Sequence, residues 1–469
     1  MIELTFLFLS NYKKNISQEH SPLLLVTQCK LIFYSILLLS ISCRTSKEET
    51  IGNTIVTTWQ GDKKSAISLT YDDGTIHQFT VARPIMNKLG FPATFFIITG
   101  KIKGSAQGKF IGRSADKIIK ETASIKTDSS NFFERASLIG FTGVPKIVDY
   151  HTQAGVLFES GKIEEAYAKI DTGFEKVRGA KIKSINETIY HNNSKDTTTW
   201  EDFKAYAAEG HEIASHTVTH PRLSVLNEVN LLYELQQSKA DIIKYVGEQY
   251  TFSAECPYGT ENERVMEYAH KIYPALRNRM PASYLDELNR SSKRQPYPSN
   301  KEIIQWQRGP LRSINMTTMK SWVDTCIVHD NIWLVLVFHG VDSIGWEPRT
   351  GAELQEYFSY IKSKESDVWV ATFGDVTKYM RERKSAIIKT SVQQDSIKVN
   401  VTSELDPKVY NIAITLKTYI PSSWKEIKLY KNEKGRMPSD LKIQKDKSGS
   451  YVLYDVMPGE GEIVLSIGD

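Results

Sequence analysis

Cysteine is scarce in this sequence, and neither sign of charge is in large excess. Four cysteines (Cys29, Cys43, Cys256 and Cys326) are scattered through 469 residues, which argues against a disulfide-rich scaffold and against a thiolate zinc site. The 59 lysines and arginines barely exceed the 55 aspartates and glutamates, so we expect no nucleic acid or acidic polymer as a partner. With 41% hydrophobic and 24% charged residues, the chain is typical of a globular protein with two or three domains.

The N-terminal apolar run is short, whereas a membrane-spanning helix needs about 20 residues. The run covers residues 31–42 and follows Lys30; its last four residues and the next one read Leu39-Ser-Ile-Ser-Cys43. The segment is similar to a bacterial lipoprotein signal with a lipidated cysteine, although Ser40 stands where leucine is usual. A plain secretory signal and an internal apolar strand are the alternatives. We predict a leader over residues 1–43, a later translation start, and a secreted protein lipid-anchored in the membrane, in the periplasm or at the cell surface.

Two adjacent carboxylates close the first clear strand pattern. Ala66 to Thr70 predicts a strand, and Tyr71-Asp-Asp-Gly74 follows it. Because successive strand side chains point to opposite sides, Asp72 and Asp73 can face different partners, one a metal and the other a reacting water. An Asp-Asp-Gly turn alone closes many strands without any chemistry.

Strand and helix patterns alternate around these carboxylates. Phe79 to Gly90 predicts a helix, and Pro92 to Ile98 predicts a buried strand. Nearly continuous apolar strands separated by helices indicate a parallel sheet that helices cover on its faces. Ligands bind at the carboxyl ends of such strands, which is where Asp72 and Asp73 stand.

Two further regions lack this alternation. Residues 101–196 show helical periodicity with few strand signals, so we predict a helical insertion that could wall or cover the site. His151 and His191, inside it, are expected at the surface. After Lys384, short strands separated by turn residues predict a small β-sandwich over residues 385–469 that packs on the rest of the chain.

A pair of histidines follows the next predicted strand. Thr199 to Glu209 predicts a helix, and the strand after it runs into His216-Thr-Val-Thr-His220. Two imidazoles four residues apart can converge on one ion if the segment begins a helical turn. With a carboxylate from the Asp-Asp pair, they form a ligand set suited to zinc, or to cobalt, nickel or manganese, with positions left for water and substrate.

Four motifs in this order resemble those of the NodB-like polysaccharide deacetylases, a carbohydrate esterase family. They are Tyr71-Asp-Asp-Gly74, Phe91-Pro-Ala-Thr-Phe-Phe96, Gly210-His-Glu-Ile-Ala-Ser-His-Thr-Val-Thr-His220 and Leu336-Val-Phe-His339. The resemblance covers about residues 62–100 and 199–382. It implies an α/β fold, namely a distorted (β/α) barrel over residues 52–384 that carries the helical insertion.

The resemblance also implies roles for individual residues. Asp73, His216 and His220 match the ligands of one divalent metal. Asp72 matches the general base that deprotonates the attacking water, and His339 matches the general acid that protonates the leaving group.

The remaining matches concern the substrate. The backbone N–H of Tyr258, after Pro257, would help to bind the oxyanion. Leu336 would contribute to an apolar pocket for the acetyl methyl group, and Thr217 would orient the histidine loop. The residue that orients His339 is open, with three nearby candidates: Asp324, His329 and Asp342.

A further motif of the family, which lies here at Glu255-Cys-Pro-Tyr-Gly259, departs from its usual form. An arginine that holds the catalytic aspartate is expected before Pro257, whereas this chain has Glu255. A carboxylate beside Asp72 would raise the pKa of one of the two rather than keep the base ionised. Either another cation substitutes, with Arg308 as a candidate, or Glu255 points elsewhere, or activity is reduced.

We therefore expect a metal-dependent deacetylase that removes N- or O-acetyl groups from an acetylated oligo- or polysaccharide. One alternative is a catalytically impaired, glycan-binding relative, which the Glu255 substitution motivates. Another is an amidohydrolase that acts on a non-sugar C–N amide bond, because it would use the same site chemistry.

Overall fold

A computed structural model describes residues 51–179, 198–279, 287–289, 302–431 and 439–468. The predicted leader with Cys43, and also His191, lie outside these residues. Within the described ranges, no helix is both long and apolar enough to cross a membrane.

Of the first ten strands described, all but the first form one parallel sheet. Its central strand is the run that ends in the Asp-Asp pair, and eight of its nine residues are buried because helices cover the sheet on both faces. The strands are β1 (Thr54–Val56), β2 (Ser65–Asp73), β3 (Thr94–Ile97), β4 (Glu212–Ser215), β5 (Ser253–Ala254), β6 (Ala275–Leu276), β7 (Glu287–Asn289), β8 (Ile304–Arg308), β9 (Ile332–Phe338) and β10 (Val368–Val370).

The α-helices alternate with these strands, apart from four consecutive helices between β3 and the helix that precedes β4. They are α1 (Arg83–Leu89), α2 (Ala115–Glu121), α3 (Phe132–Gly140), α4 (Pro145–Glu159), α5 (Ile163–Gly179), α6 (Trp200–Ala208), α7 (Glu228–Tyr245), α8 (Glu263–Ile272), α9 (Met316–His329), α10 (Gly351–Lys362) and α11 (Phe373–Ser385). Helices α2 to α5 lie in the predicted insertion and share a core of their own around Phe132, Ile139 and Phe174. The predicted helical character of this region is therefore confirmed for its described part.

The parallel sheet has the order β6-β5-β4-β3-β2-β9-β8-β7, with β10 paired to the first half of β2. Curled and covered by helices, it is the predicted distorted (β/α) barrel. The register aligns Asp73 with Ile97, Ile97 with Ser215, and Tyr71 with Phe338. The carboxyl ends of β2, β3, β4 and β9 therefore meet at one edge, which brings distant segments of the sequence together.

The C-terminal part consists of two antiparallel sheets that share one apolar core, which confirms the predicted β-sandwich. Strand β1 lies within the predicted barrel range but pairs with this part, opposite β13. Tyr379 of α11 joins the two parts, since its hydroxyl lies 3.0 Å from that of Thr57. The strands are β11 (Ile387–Val392), β12 (Ser396–Thr402), β13 (Ile414–Ile420), β14 (Ile427–Lys431), β15 (Ser439–Leu441), β16 (Gln444–Asp446), β17 (Gly449–Val456) and β18 (Glu462–Ile467).

Candidate active site

An Asp-His-His cluster lies at the carboxyl ends of β2 and β4. The Nε2 atoms of His216 and His220 are 3.8 and 3.4 Å from Oδ1 of Asp73. One potential ligand atom from each residue lies within 4.8 Å of the others, a spacing that one divalent ion can bridge. The structure thus brings together the three residues predicted as metal ligands.

The histidine loop is not the helical turn that the four-residue spacing suggested. Thr217 and His220 have φ angles of 66° and 65°, so the chain bends twice and returns the second imidazole to the first. The hydroxyl of Thr217 accepts a hydrogen bond from the backbone N–H of His220 (3.0 Å). The imidazoles converge because the loop is folded back, and left-handed residues of this kind are frequent at functional sites.

A buried carboxylate on α7 holds this loop, and sequence reasoning missed it. Glu234 accepts hydrogen bonds from the backbone N–H groups of Val218 and Thr219, both at 2.8 Å, and from the Thr219 hydroxyl at 2.7 Å. Burial raises the pKa of Glu234 to about 7, although these hydrogen bonds oppose the rise. No local motif marks Glu234, because it lies on a separate element, in the second turn of α7.

The donor atoms fit a divalent cation. Nδ1 of His216 lies 3.0 Å from the Glu255 carbonyl oxygen, so this nitrogen carries the proton and leaves Nε2 for an ion. Burial, and the neighbouring His220, lower the pKa of His216 to about 3; burial, and then Lys101, do the same for His220. Both imidazoles are therefore neutral at pH 7, the form that binds metals.

Arg277 holds Asp72, the predicted general base, from the carboxyl end of strand β6 at the edge of the sheet. Its two terminal nitrogens donate to the two carboxylate oxygens of Asp72, each at 2.6 Å. Burial favours a raised pKa at Asp72, but the charge of Arg277, then His339, and the Arg277 hydrogen bonds lower the pKa below its usual range. A bidentate guanidinium–carboxylate pair of this kind keeps the aspartate ionised.

Arg308, the suggested substitute cation, does not serve this purpose. Its guanidinium lies 4.0 Å from the centre of the Trp306 ring, and it donates to the Gln307 carbonyl. Sequence reasoning missed Arg277, because its place depends on strand pairing. Ala254 of β5 pairs with Leu276 of β6, so the residues that follow, Glu255 and Arg277, stand side by side.

Glu255 occupies the position of the missing arginine as a partner of Arg277. Nη2 of Arg277 is 3.2 Å from Oε1 of Glu255, and the Asn278 side-chain amide donates to the same oxygen. The expected unscreened repulsion between Glu255 and Asp72 is therefore absent, because one guanidinium lies between the two carboxylates. Compared with the family motif, the arginine has moved by one strand.

His339 stands across the cavity from the metal cluster. Its Nε2 atom is 3.4 Å from Oδ2 of Asp72. Gln78 connects the two backbones, because its side-chain amide donates to the carbonyl oxygens of both Asp72 and His339. Gln78 lies in a single π-helical turn, 78–82, a feature often found at functional sites.

The three candidates for orienting His339 are placed elsewhere. The Asp324 carboxylate accepts from the Tyr360 hydroxyl, and Asp342 accepts from the Gly351 N–H group. His329 ends helix α9, which leads into the opposite end of β9.

The Asp-His-His cluster, Asp72 and His339 line one cavity of about 560 Å³, together with Tyr258, Arg277 and Trp346. Tyr258 is half-exposed with a φ of 61°, whereas Pro257 and Thr217 are buried. Leu336 points into the core, and the adjacent Val337 lines the cavity instead, since neighbouring strand residues face opposite sides.

His151 is buried, contrary to its predicted surface position. Nδ1 lies 2.9 Å from the Ala136 carbonyl oxygen, and Nε2 accepts from the Arg222 backbone N–H at 3.1 Å. Burial lowers the pKa of His151 to about 4. The imidazole thus attaches the insertion to the chain that follows the histidine loop.

Fold and site together define a distorted (β/α) barrel with a candidate hydrolytic metal centre at its strand ends. Residues 60–126 and 180–273 match the model of the polysaccharide deacetylase family. Over these two segments the chain is similar to the polysaccharide deacetylases.

A curated relative, a gellan lyase from a Bacillus species, is 26% identical over 292 residues. This match covers 58% of the present chain and 11% of the relative, so the chain spans about a tenth of that protein's length.

Three solved structures are similar at low sequence identity. The Xyl-CE4 domain of a multidomain xylanase from the hindgut metagenome of Trinervitermes trinervoides is 13% identical, over 67% of this chain and 90% of that one, with a TM-score of 0.32. A family 4 carbohydrate esterase from Streptomyces lividans in complex with acetate is 11% identical (67% and 95%, TM-score 0.30). A mutant of the peptidoglycan deacetylase PdaC from Bacillus subtilis is 13% identical (70% and 96%, TM-score 0.29).

Proposed function

We propose that this protein hydrolyses acetyl groups of a carbohydrate with the help of one divalent metal. The observation that carries the proposal is a single cavity with two complementary walls. One wall presents the carboxylate and two neutral imidazoles of Asp73, His216 and His220. The other presents the tethered carboxylate of Asp72 and the imidazole of His339, 3.4 Å apart.

Asp73, His216 and His220 would hold a divalent cation, with zinc the first choice for this donor set, and the bound ion would supply Lewis-acid activation of the acyl carbonyl and of the attacking water. Asp72, which Arg277 keeps ionised, accepts the proton of that water. His339 gives a proton to the departing amine or alcohol, so that the acetyl group leaves as acetate. We assign stabilisation of the oxyanion to the Tyr258 N–H, and the place of Tyr258 in the cavity lining supports this role.

The contact between Arg277 and Asp72 argues against the alternative that this protein is a catalytically impaired, glycan-binding relative. That alternative rested on Glu255 in place of the family arginine. Arg277, at the end of β6, donates both hydrogen bonds to Asp72. The base therefore keeps the partner that its role requires.

The cellular context is part of the same proposal. A lipidated Cys43 behind a leader of residues 1–43 would hold the enzyme in the membrane, in the periplasm or at the cell surface, where acetylated polysaccharides are accessible. Palmitate labelling of the wild type and of Cys43→Ala tests this, and equal labelling would contradict it.

Two adjacent substitutions test the catalytic assignment. Asp72→Asn should lower acetate release from acetylated chito- or xylo-oligosaccharides by about 100- to 10,000-fold because the base is lost, while bound metal is retained. Asp73→Asn should lower the metal content as well as the activity. Acetate release and metal content are measured on chelator-treated protein before and after addition of Zn²⁺, Co²⁺, Ni²⁺ or Mn²⁺.

Three results would contradict the assignment. Full activity in Asp72→Asn would remove that residue from the mechanism, and activity that survives complete metal removal would remove the metal. Hydrolysis of a simple non-sugar acetamide, with no release from any acetylated oligosaccharide, would instead support an amidohydrolase.

A further inference from the structure

Two exposed aromatic side chains flank the cavity at opposite ends. Tyr258 is 51% exposed and Trp346 is 56% exposed. The Tyr258 ring lies 4.6 Å from the ring of His220, and the Trp346 ring lies 4.7 Å from that of His339. The metal cluster and the Asp72–His339 pair therefore lie between the two aromatic rings.

The loop that carries Trp346 has a constrained backbone conformation. Positive φ angles occur at Asp342, Ser343, Gly345 and Glu347, and the Gly340 N–H donates to the Trp346 carbonyl at 2.8 Å. A Cβ atom on Gly340 would come within 2.9 Å of the Gly345 carbonyl carbon, so this fold of the loop depends on glycine. Such backbone strain is typical of functional positions, and here it holds a large apolar ring in solvent.

Tyr258 is supported from the helical insertion. The Arg222 guanidinium lies 4.6 Å from the Tyr258 ring centre, and Nη1 of Arg222 is 2.6 Å from Oε2 of Glu159 at the end of α4. A Cβ on Gly155 would lie 2.5 Å from Cδ of Arg222, so α4 leaves room for this arginine. The insertion therefore fixes one rim of the cavity.

We propose that Trp346 and Tyr258 are stacking platforms for the sugar rings on either side of the reacting unit. A pyranose ring has an apolar C–H face and a polar hydroxyl rim, so it suits a partly exposed aromatic ring beside charged groups. The ligand class is an acetylated oligosaccharide of at least three units, deacetylated at an internal unit. This inference rests on the proposed function and adds the binding mode to it.

The test compares chain lengths. For Trp346→Ala, kcat/KM toward an acetylated pentasaccharide should fall about three- to tenfold more than toward the monosaccharide, since one stacking contact is lost. Trp346→Phe should recover part of the loss. Glu159→Gln should weaken the pentasaccharide reaction in the same chain-length-dependent way. Tyr430→Ala, which removes an exposed tyrosine on β14, is the matched control and should change neither reaction.

Binding separates this inference from the proposed function. The metal-loaded Asp72→Asn protein is titrated with the acetylated pentasaccharide, with and without Trp346→Ala. If acetate release is present but Trp346→Ala affects both chain lengths equally, the inference is wrong. If Trp346-dependent binding is present but the wild type releases no acetate, the proposed function is wrong and the binding mode stands.

Discussion

Replacement of Arg277 by methionine should impair both stability and catalysis. The side chains of Arg277, Asp72 and Glu255 are 3%, 4% and 3% exposed, so the change leaves two neighbouring carboxylates buried without their cation. Removing one partner of a buried ion pair costs about 3–5 kcal/mol, and the second carboxylate places this pair at the upper end. Guanidinium denaturation measures the loss.

The pH dependence of activity gives the more specific measurement. In the folded protein the pKa of Asp72 is lowered, because Arg277 outweighs the burial that favours a raised value. Its stabilising contribution is therefore present above the ordinary pKa near 3.8 and is lost as pH falls toward the folded value. Without Arg277, burial and Glu255 both raise the pKa, so the acid limb of the acetate-release profile should move to higher pH.

Two further variants make this prediction exact enough to refute. Arg308→Met removes another buried arginine, which contacts Trp306 rather than Asp72, so it can lower stability but should leave the acid limb in place. Exchange of the two residues, Glu255→Arg with Arg277→Glu, returns the arginine to its usual family position and should recover much of the activity. An unchanged acid limb in Arg277→Met, or one that moves equally in Arg308→Met, would refute the reasoning.

The other predictions concern the loop and the insertion. Glu234→Gln should weaken metal binding about 10- to 100-fold because it releases the histidine loop; a metal titration measures this, and unchanged affinity would argue against the support role. His151→Gln should reduce the pH dependence of the free energy of unfolding on the acid side. Burial lowers the pKa of His151 from 6.5 to about 4, so only the unfolded chain gains this proton between those values, and stability falls by up to roughly 3 kcal/mol as pH decreases. Urea denaturation at pH 7 and pH 5 should show a smaller difference in the variant, and an equal difference would exclude His151 as the cause.

Local patterns were sufficient for the elements that carry the site. The strand that ends in Asp72 and Asp73, and the strand that ends beside His339, are strongly apolar segments whose pattern alone indicates burial. Parallel packing then places their carboxyl ends at one edge. Helical periodicity predicted the helices of the insertion, and short strand patterns separated by turn residues predicted the C-terminal sandwich.

The side-chain partners required the tertiary structure. Arg308 ends β8 and Arg277 follows the two-residue strand β6, and the sequence offers no reason to choose Arg277 until β5 and β6 are known to pair. His151 looked like a surface residue because burial of an imidazole depends on acceptors and donors from distant segments, here Ala136 and Arg222.

The sequence by itself determined the strands that end in Asp72 and His339, the helical character of the insertion and the predicted metal ligands, because these follow from hydrophobic periodicity and from short motifs. Only the tertiary structure decided which cation holds Asp72, how the histidine loop folds back, and which aromatic rings border the cavity. Those features depend on strand register and loop conformation. Contacts between residues far apart in the chain set both, and no local pattern encodes them.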